Sequence, residues 1–371
     1  MAGEPVTVPA WQTLGDERAR RWTEVLDHLA AALPPGAVTV VVDGAGPYPA
    51  VVADRLAETL AAAGRPCARL TDATPLADED TWRAGGTPGS VAVADGPRWR
   101  AHPPAGAWDV VVWLRTPPTG PPADGDRGRG GDVVIDLRDP DWPVIRRLAE
   151  RLAPWERWYV GESRAFFAVR AATWDTKFGD DLPAYTAAVV EARLPPGGVA
   201  VDVGCGTGRA LPALRRAVGP TGTVVGLDLT PEMLTAARRH RHDAAATLVL
   251  GDARRLPFGS GTVDAIFAAG LLTHLPDAEA GLRELARVTR PGGRLVLFHP
   301  SGRAALAARH GRTLGPDEPL AEAPLDRSTS RSGWHLASYD DAPHRFLAIA
   351  TRRPYPSSGA RPRPAGGHAR G

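Results

Sequence analysis

Short β-branched runs alternate with longer segments of helical period along most of the chain. Val38–Val42 is the first such run, and Ala50–Ala63 then follows with helical spacing, closed by Gly64. Val91–Ala94, Val110–Leu114 and Val133–Asp136 are further apolar runs of strand length, and Pro143–Leu152 predicts a helix. The alternation restarts near Gly197 and runs to about Thr351, through Val199–Val203, "TVVGLD", "VDAIFAA" and "GGRLVLF". It ends in "GWHLASYDDAPHRFLAIATRR", which reads as a closing antiparallel hairpin. Continuous apolar runs interleaved with helices predict parallel sheets covered on both faces, an α/β class. The aromatic segment Ala153–Asp181 bridges the two alternating halves. This organisation predicts domains over residues 1–153 and 154–352. The loop "RTPPTGPPADGDRGRGGD" and a tail over 353–371 have the composition of disordered segments.

Composition changes this picture little. A length of 371 residues with 43% hydrophobic and 23% charged residues suits two soluble domains with real cores. Gly (41) and Pro (37) are abundant, and Lys177 is the one lysine beside many arginines, so single arginines carry little functional signal. The net charge of +2 argues neither way, and the absence of a basic stripe argues against a nucleic-acid partner. Cys67 and Cys205 are too few and too far apart for a disulfide framework or a metal cluster, so no metal is expected. The N-terminus carries no apolar signal region and no run reaches about 18 apolar residues, so a cytoplasmic, non-membrane protein is expected. Its oligomeric state is open.

Two glycine turns each follow a strand and open a helix. The first is Gly44-Ala45-Gly46-Pro47-Tyr48-Pro49. Its layout is that of a phosphate-cradling loop, but the lysine and the following Ser or Thr of G-x-x-x-x-G-K-[ST] are missing. Pro47 and Pro49 also remove two backbone donors.

The second turn is Gly204-Cys205-Gly206-Thr207-Gly208, after the strand Val199–Val203. "TVVGLD" ends in Asp228, 24 residues after Gly204, where an acidic side chain can accept from two ribose hydroxyls. A strand-end carboxylate there is expected to face the site and not the core. A pyrophosphate favours G-x-G-x-x-G. This turn is G-x-G-x-G with Asp202 two residues ahead of it, a carboxylate that would repel phosphate and suits an ammonium. S-adenosylmethionine carries an ammonium, a ribose and an adenine, and no phosphate.

Asp202-x-Gly204-x-Gly206-x-Gly208, "DLTPEML", "GDARRLPF" and "RVTRPGGRLVL" together resemble class I S-adenosylmethionine-dependent methyltransferases of the small-molecule type, over residues 165 to 351. The resemblance implies a Rossmann-like, seven-stranded, mainly parallel sheet, the cofactor S-adenosyl-L-methionine and a small-molecule methyl acceptor. It places Asp202, Gly204, Cys205, Gly206 and Gly208 at the methionine end, with Cys205 a small packing residue of the loop. It gives the ribose to Asp228, and Leu229 and Met233 flank the adenine. Asp252 and Ala253 meet the adenine edge, and Ala269 and Gly270 lie under the cofactor. "ATWDTKFG" matches a cofactor-covering helix, which adds Trp174 and Phe178. The first half resembles P-loop nucleoside kinases of the uridine kinase type with their catalytic elements lost, a degenerate domain left in a structural or regulatory role.

A general base is not required, because a sulfonium is an excellent leaving group and positioning can supply most of the acceleration. His274 and His299 stand near the carboxyl ends of the fourth and fifth strands of the second half and are the base candidates, with His310 behind them. Three functions follow: a methyltransferase, a catalytically silent cofactor-binding or regulatory protein, and a nucleoside kinase, which the missing lysine disfavours.

Overall fold

The computed structural model describes residues 14–71, 73–74, 89–103, 106–116, 131–152, 156–176, 180–240, 246–309 and 314–354. Phe178, His310, the glycine-rich loop 117–130 and most of the expected tail lie outside the described residues.

The chain folds as two compact units. One comprises residues up to Phe166 with the short piece 308–313, and the other comprises the remainder from Phe167. In the first unit, helix α1 (Asp16–Ala32) precedes strand β1 (Val38–Gly44), which leads into helix α2 (Tyr48–Ala62). Strands β2 (Cys67–Leu70) and β3 (Val91–Asp95), helix α3 (Gly96–Ala101) and strands β4 (Val110–Arg115), β5 (Val133–Asp136) and β6 (Val144–Leu148) follow, then helix α4 (Glu156–Ala168). The sheet order is β2-β3-β1-β4-β5-β6, parallel except for β6. Val38 to Val42 are buried throughout, as a central strand covered on both faces requires.

The helix expected over Pro143–Leu152 is instead the antiparallel edge strand β6. Val144 and Ile145 fill the core beside β5, with Val144 opposite Asp136. The Ile145 N–H donates to Glu162 Oε2 at 2.7 Å. Glu162 is 1% exposed and also accepts from the buried Arg21 guanidinium, whose Nε donates to the Pro143 carbonyl. This buried pair ties α4 to α1 and β6, so the unit closes at Phe166 and not at residue 153. Local period could not separate strand from helix in "PVIRRLAERL"; pairing with β5 makes it a strand.

In the second unit a short 3₁₀ turn (Ala171–Thr176) leads to helix α5 (Leu182–Ala192), strand β7 (Val199–Val203), helix α6 (Leu211–Val218), strand β8 (Thr223–Asp228) and helix α7 (Pro231–Arg239). Strands β9 (Thr247–Leu250) and β10 (Val263–Ala269), helix α8 (Ala278–Val288) and strand β11 (Thr289–His299) continue it. Helices α9 (Arg303–Arg309) and α10 (Glu322–Arg331) lead to the hairpin β12 (Trp334–Ala342) and β13 (Arg345–Arg352). The seven strands are ordered β12-β13-β11-β10-β7-β8-β9, and β13 runs antiparallel to both neighbours. This is the expected Rossmann-like seven-stranded sheet. From β7 the chain steps outward to β8 and β9, then returns to the other side of β7 as β10. The strand order reverses between β7 and β10, and ligands of open α/β sheets sit at the carboxyl ends of the strands at such a reversal. Among the described residues, no helix is long and apolar enough to cross a membrane.

Candidate functional site

The turn after β7 sits at that reversal. Gly204 (φ +73°) and Gly206 (φ +54°) take left-handed backbone conformations that side chains disfavour. Both Gly204 and Cys205 donate their N–H to the Leu227 carbonyl, at 2.8 and 2.9 Å, which binds the turn to the end of β8. A Cβ on Gly204 would stand 3.2 Å from Leu271 Cδ1, so the loop after β10 closes directly over the turn. Cys205 is buried, its sulfur against Gly226, and burial pushes its thiol pKa well up; this is a packing residue and no nucleophile.

Asp228 is 8% exposed, against the expectation of an exposed strand end. Its Oδ2 accepts the Gly206 N–H and its Oδ1 accepts the Thr230 N–H, each at 2.8 Å. The carboxylate therefore holds the glycine turn and the start of α7 together. The Leu229 backbone and the Thr230 side chain also lie against this carboxylate, which offers about four lone-pair sites when ionised. Burial raises its pKa, while the backbone donors pull it back down.

Asp202, at 2% exposure, lies on β7. Among the described residues, its buried Oδ1 has no hydrogen-bond partner. Burial first, and the Asp228 carboxylate second, push its pKa up to about 8. A buried acceptor without a donor costs roughly 1–3 kcal/mol and invites a cationic donor. Tyr185 of α5 packs edge-on against Phe298 at 4.8 Å, and burial, then Asp202 and Asp175, raise its phenol pKa.

The other expected residues are less concentrated. Met233 and Ala253 are buried, and Leu229, Ala269 and Gly270 are half-buried. Met233 Sδ lies 4.0 Å from where a Cβ on Gly206 would be. Asp252 is engaged by Arg254, whose backbone N–H donates to Oδ1 at 2.9 Å and whose Nη2 donates to Oδ2 at 2.7 Å. His274 ends a one-turn 3₁₀ helix (Leu272–His274) after β10, and its ring meets Phe167 edge-on at 5.1 Å. Phe167 meets Trp174 in the same way at 5.6 Å. His299 ends β11, with Nδ1 3.0 Å from the Ser301 carbonyl and 3.1 Å from the Ser301 N–H.

Asp175 escaped sequence reasoning, which singled out its neighbour Trp174. The Thr207 hydroxyl donates to Asp175 Oδ1, Arg209 Nη1 lies 3.3 Å from the same oxygen, and His240 Nδ1 lies 2.8 Å from Oδ2. Arg209 also pairs with Asp181, the N-cap of α5. A carboxylate inside an aromatic segment just ahead of the glycine strand was the available signal.

Residues 201–297 match the family model of the methyltransferase domain. An uncharacterised 37.1 kDa protein in transposon TN4556 of Streptomyces fradiae is 43% identical over 106 residues, 28% of this chain and 31% of that protein. A demethylmenaquinone methyltransferase of Bacillus licheniformis is 38% identical over 110 residues, 29% of this chain and 47% of that protein. The chain thus spans less than half the length of these curated relatives. A solved SAM-dependent methyltransferase of Aquifex aeolicus aligns with a TM-score of 0.42 at 22% identity, covering 50% of this chain and 98% of that one.

Proposed function

We propose that the second unit, whose residues 201–297 match the methyltransferase-domain family model, is a class I S-adenosylmethionine-dependent methyltransferase that transfers the cofactor's methyl group to a small-molecule acceptor. One observation carries this reading. The buried Asp202 Oδ1, without a hydrogen-bond partner among the described residues, stands beside a glycine turn held by Asp228, a geometry that suits an ammonium. Asp202 would take the ammonium of the cofactor, directly or through water, and the Asp228 carboxylate would take its ribose hydroxyls. Met233, Leu229 and Ala253 would flank the adenine. Asp252 would reach the adenine amino group only with the oxygen capacity that Arg254 leaves. Ala269 and Gly270 would form the floor, and Trp174 the cover.

Bound S-adenosylmethionine supplies an electrophilic methyl group on a sulfonium with a good leaving group. What this chain adds is position and exclusion of water. His299, or less directly His274, would take a proton from an acceptor that has to lose one. The demethylmenaquinone methyltransferases among the relatives support an electron-rich aromatic acceptor such as a quinol. Incubating the full chain with methyl-tritiated S-adenosylmethionine and a panel of quinols and phenols tests the reading. Label in an organic-extractable product is expected. Cofactor binding without label in any acceptor would favour the silent, regulatory reading instead.

The first unit is read as a degenerate P-loop kinase-like domain. Three features support this: β1 in the middle of its sheet, a glycine turn at the carboxyl end of β1, and α2 starting from that turn. The Gly44 N–H is already donated to Asp43 Oδ1 at 2.8 Å, so a carboxylate occupies the place of a phosphate oxygen. Pro47 is the N-cap of α2, and Pro49 follows in its first turn. A phosphate finds few donors and one repelling charge there. Calorimetric titration of the full chain with Mg-ATP is expected to give no saturable heat, and micromolar binding would overturn the reading.

A further inference from the structure

We propose that Asp175 is the clasp of a lid: it fastens the 3₁₀ turn Ala171–Thr176 onto the cofactor loop and thereby sets how fast the cofactor enters and leaves. The proposal rests on the assignment of the glycine turn to S-adenosylmethionine.

The single carboxylate of Asp175 reaches two surfaces of the candidate site. One is the glycine loop itself and the residue after it, through the Thr207 hydroxyl and the Arg209 guanidinium. The other is the end of α7, the helix after β8, through His240. Thr207 is 1% exposed, so the bond it makes is shielded from water on the loop side. On the opposite flank the same turn presents Trp174 to Phe167, and Phe167 to His274 in the loop after β10. The turn thus bears directly on the loop after β7, and through Phe167 of α4 it is linked to the loop after β10.

The two attachments differ in kind. The aromatic flank is a pair of uncharged edge-on ring contacts, each worth about 0.5–1.5 kcal/mol. The Asp175 flank is charge-assisted and directional, and it breaks as a unit. Arg209 does not depend on Asp175 for its charge balance, because Asp181 also pairs with it. Loss of Asp175 therefore frees the turn without orphaning the guanidinium. Asp175 touches no atom at which methyl transfer would occur, so it acts as a positioning residue.

The test compares the full-length wild type with Asp175→Ala, Thr207→Val and the double variant in two measurements. The first is stopped-flow dissociation of S-adenosylhomocysteine, the demethylated cofactor. The second is hydrogen exchange of the 171–176 backbone in ligand-free protein, which reads the clasp without any cofactor. Each single variant should release S-adenosylhomocysteine about tenfold faster or more, as expected for losing a charge-assisted hydrogen bond. The double variant should be no faster than the faster single, the signature of one shared interaction. Exchange at 171–176 should rise in all three variants while protection of β7 and β8 is kept. Wild-type release rates in every variant, with wild-type binding intact, overturn the clasp alone. Additive effects accompanied by lost protection in β7 and β8 would make Asp175 an ordinary structural residue and likewise overturn it. A wild type that binds no S-adenosylhomocysteine overturns the cofactor assignment and the lid with it.

Discussion

Asp228→Ala is expected to weaken S-adenosylhomocysteine binding on the order of 100-fold or more, and to destabilise the protein as well. Its carboxylate would accept charge-assisted bonds from the ribose hydroxyls, each worth roughly 1.5–3 kcal/mol, at about 1.4 kcal/mol per tenfold in affinity. A solvated strand-end carboxylate would cost only about 0.5 kcal/mol of stability on removal. Asp228 is not such a residue: it holds the Gly206 and Thr230 N–H groups at 2.8 Å. Removing the carboxylate leaves two buried donors unpaired, at roughly 1–3 kcal/mol each, offset in part by relief of a buried charge. The net loss should be on the order of 2 kcal/mol. Asp228→Asn keeps one acceptor oxygen and should fall between wild type and Ala on both measures. Calorimetry with S-adenosylhomocysteine and urea unfolding of the three proteins provide the comparison; equal affinities would remove Asp228 from the site.

Asp202→Asn should do the opposite to stability while also crippling binding. Burial and Asp228 push the Asp202 pKa from 3.8 up to about 8. Between those values the unfolded chain is ionised there and the folded chain is protonated. The folded state then binds the extra proton, so stability contributed at this site falls as pH rises through the window. At about 1.36 kcal/mol per pH unit, the cost near pH 7 is at most about 4 kcal/mol. Asn has the same shape and no charge to bury, so the ligand-free variant should gain on the order of 2 kcal/mol or more at pH 7 and almost nothing at pH 4. Affinity for S-adenosylhomocysteine should fall on the order of 100-fold, because the ammonium loses its charged partner. Urea unfolding at pH 4.5 and pH 7.5 is the first check. A variant destabilised to the same degree at both pH values would mean that Asp202 is a satisfied core residue. A site kept at a cost in stability so that it can receive a cation is the pattern of a functional site.

The parts of this protein that were legible in its sequence are those set by short-range pattern. The strands flanking the glycine turns, the Gly204–Gly208 loop and the terminal hairpin all follow from local period and glycine placement, and each is where the pattern put it. What escaped depends on distant partners. "PVIRRL" became a strand because of its pairing with β5 and the Glu162 contact, which the segment's own period does not show. Helix α1, with Arg21 and Trp22 buried, belongs to the first unit through contacts more than a hundred residues away. Asp228 was singled out in the sequence as a strand-end carboxylate, but its task of holding the glycine turn shows only once Gly206 and Thr230 are placed in space. Asp252 was legible as a carboxylate, and its pairing with Arg254 two residues on was not read. Asp175 was hidden for the same reason as Glu162: its partners Thr207, Arg209 and His240 lie on other elements.

Native mass spectrometry of the purified full chain tests most directly that the glycine turn with Asp202 and Asp228 holds S-adenosylmethionine. Wild-type protein incubated with the cofactor should carry one added mass of S-adenosylmethionine or S-adenosylhomocysteine, and Asp228→Ala and Asp202→Asn should carry neither. A wild-type spectrum showing only the bare chain, or one in which both variants hold the cofactor as well as the wild type does, would contradict that assignment.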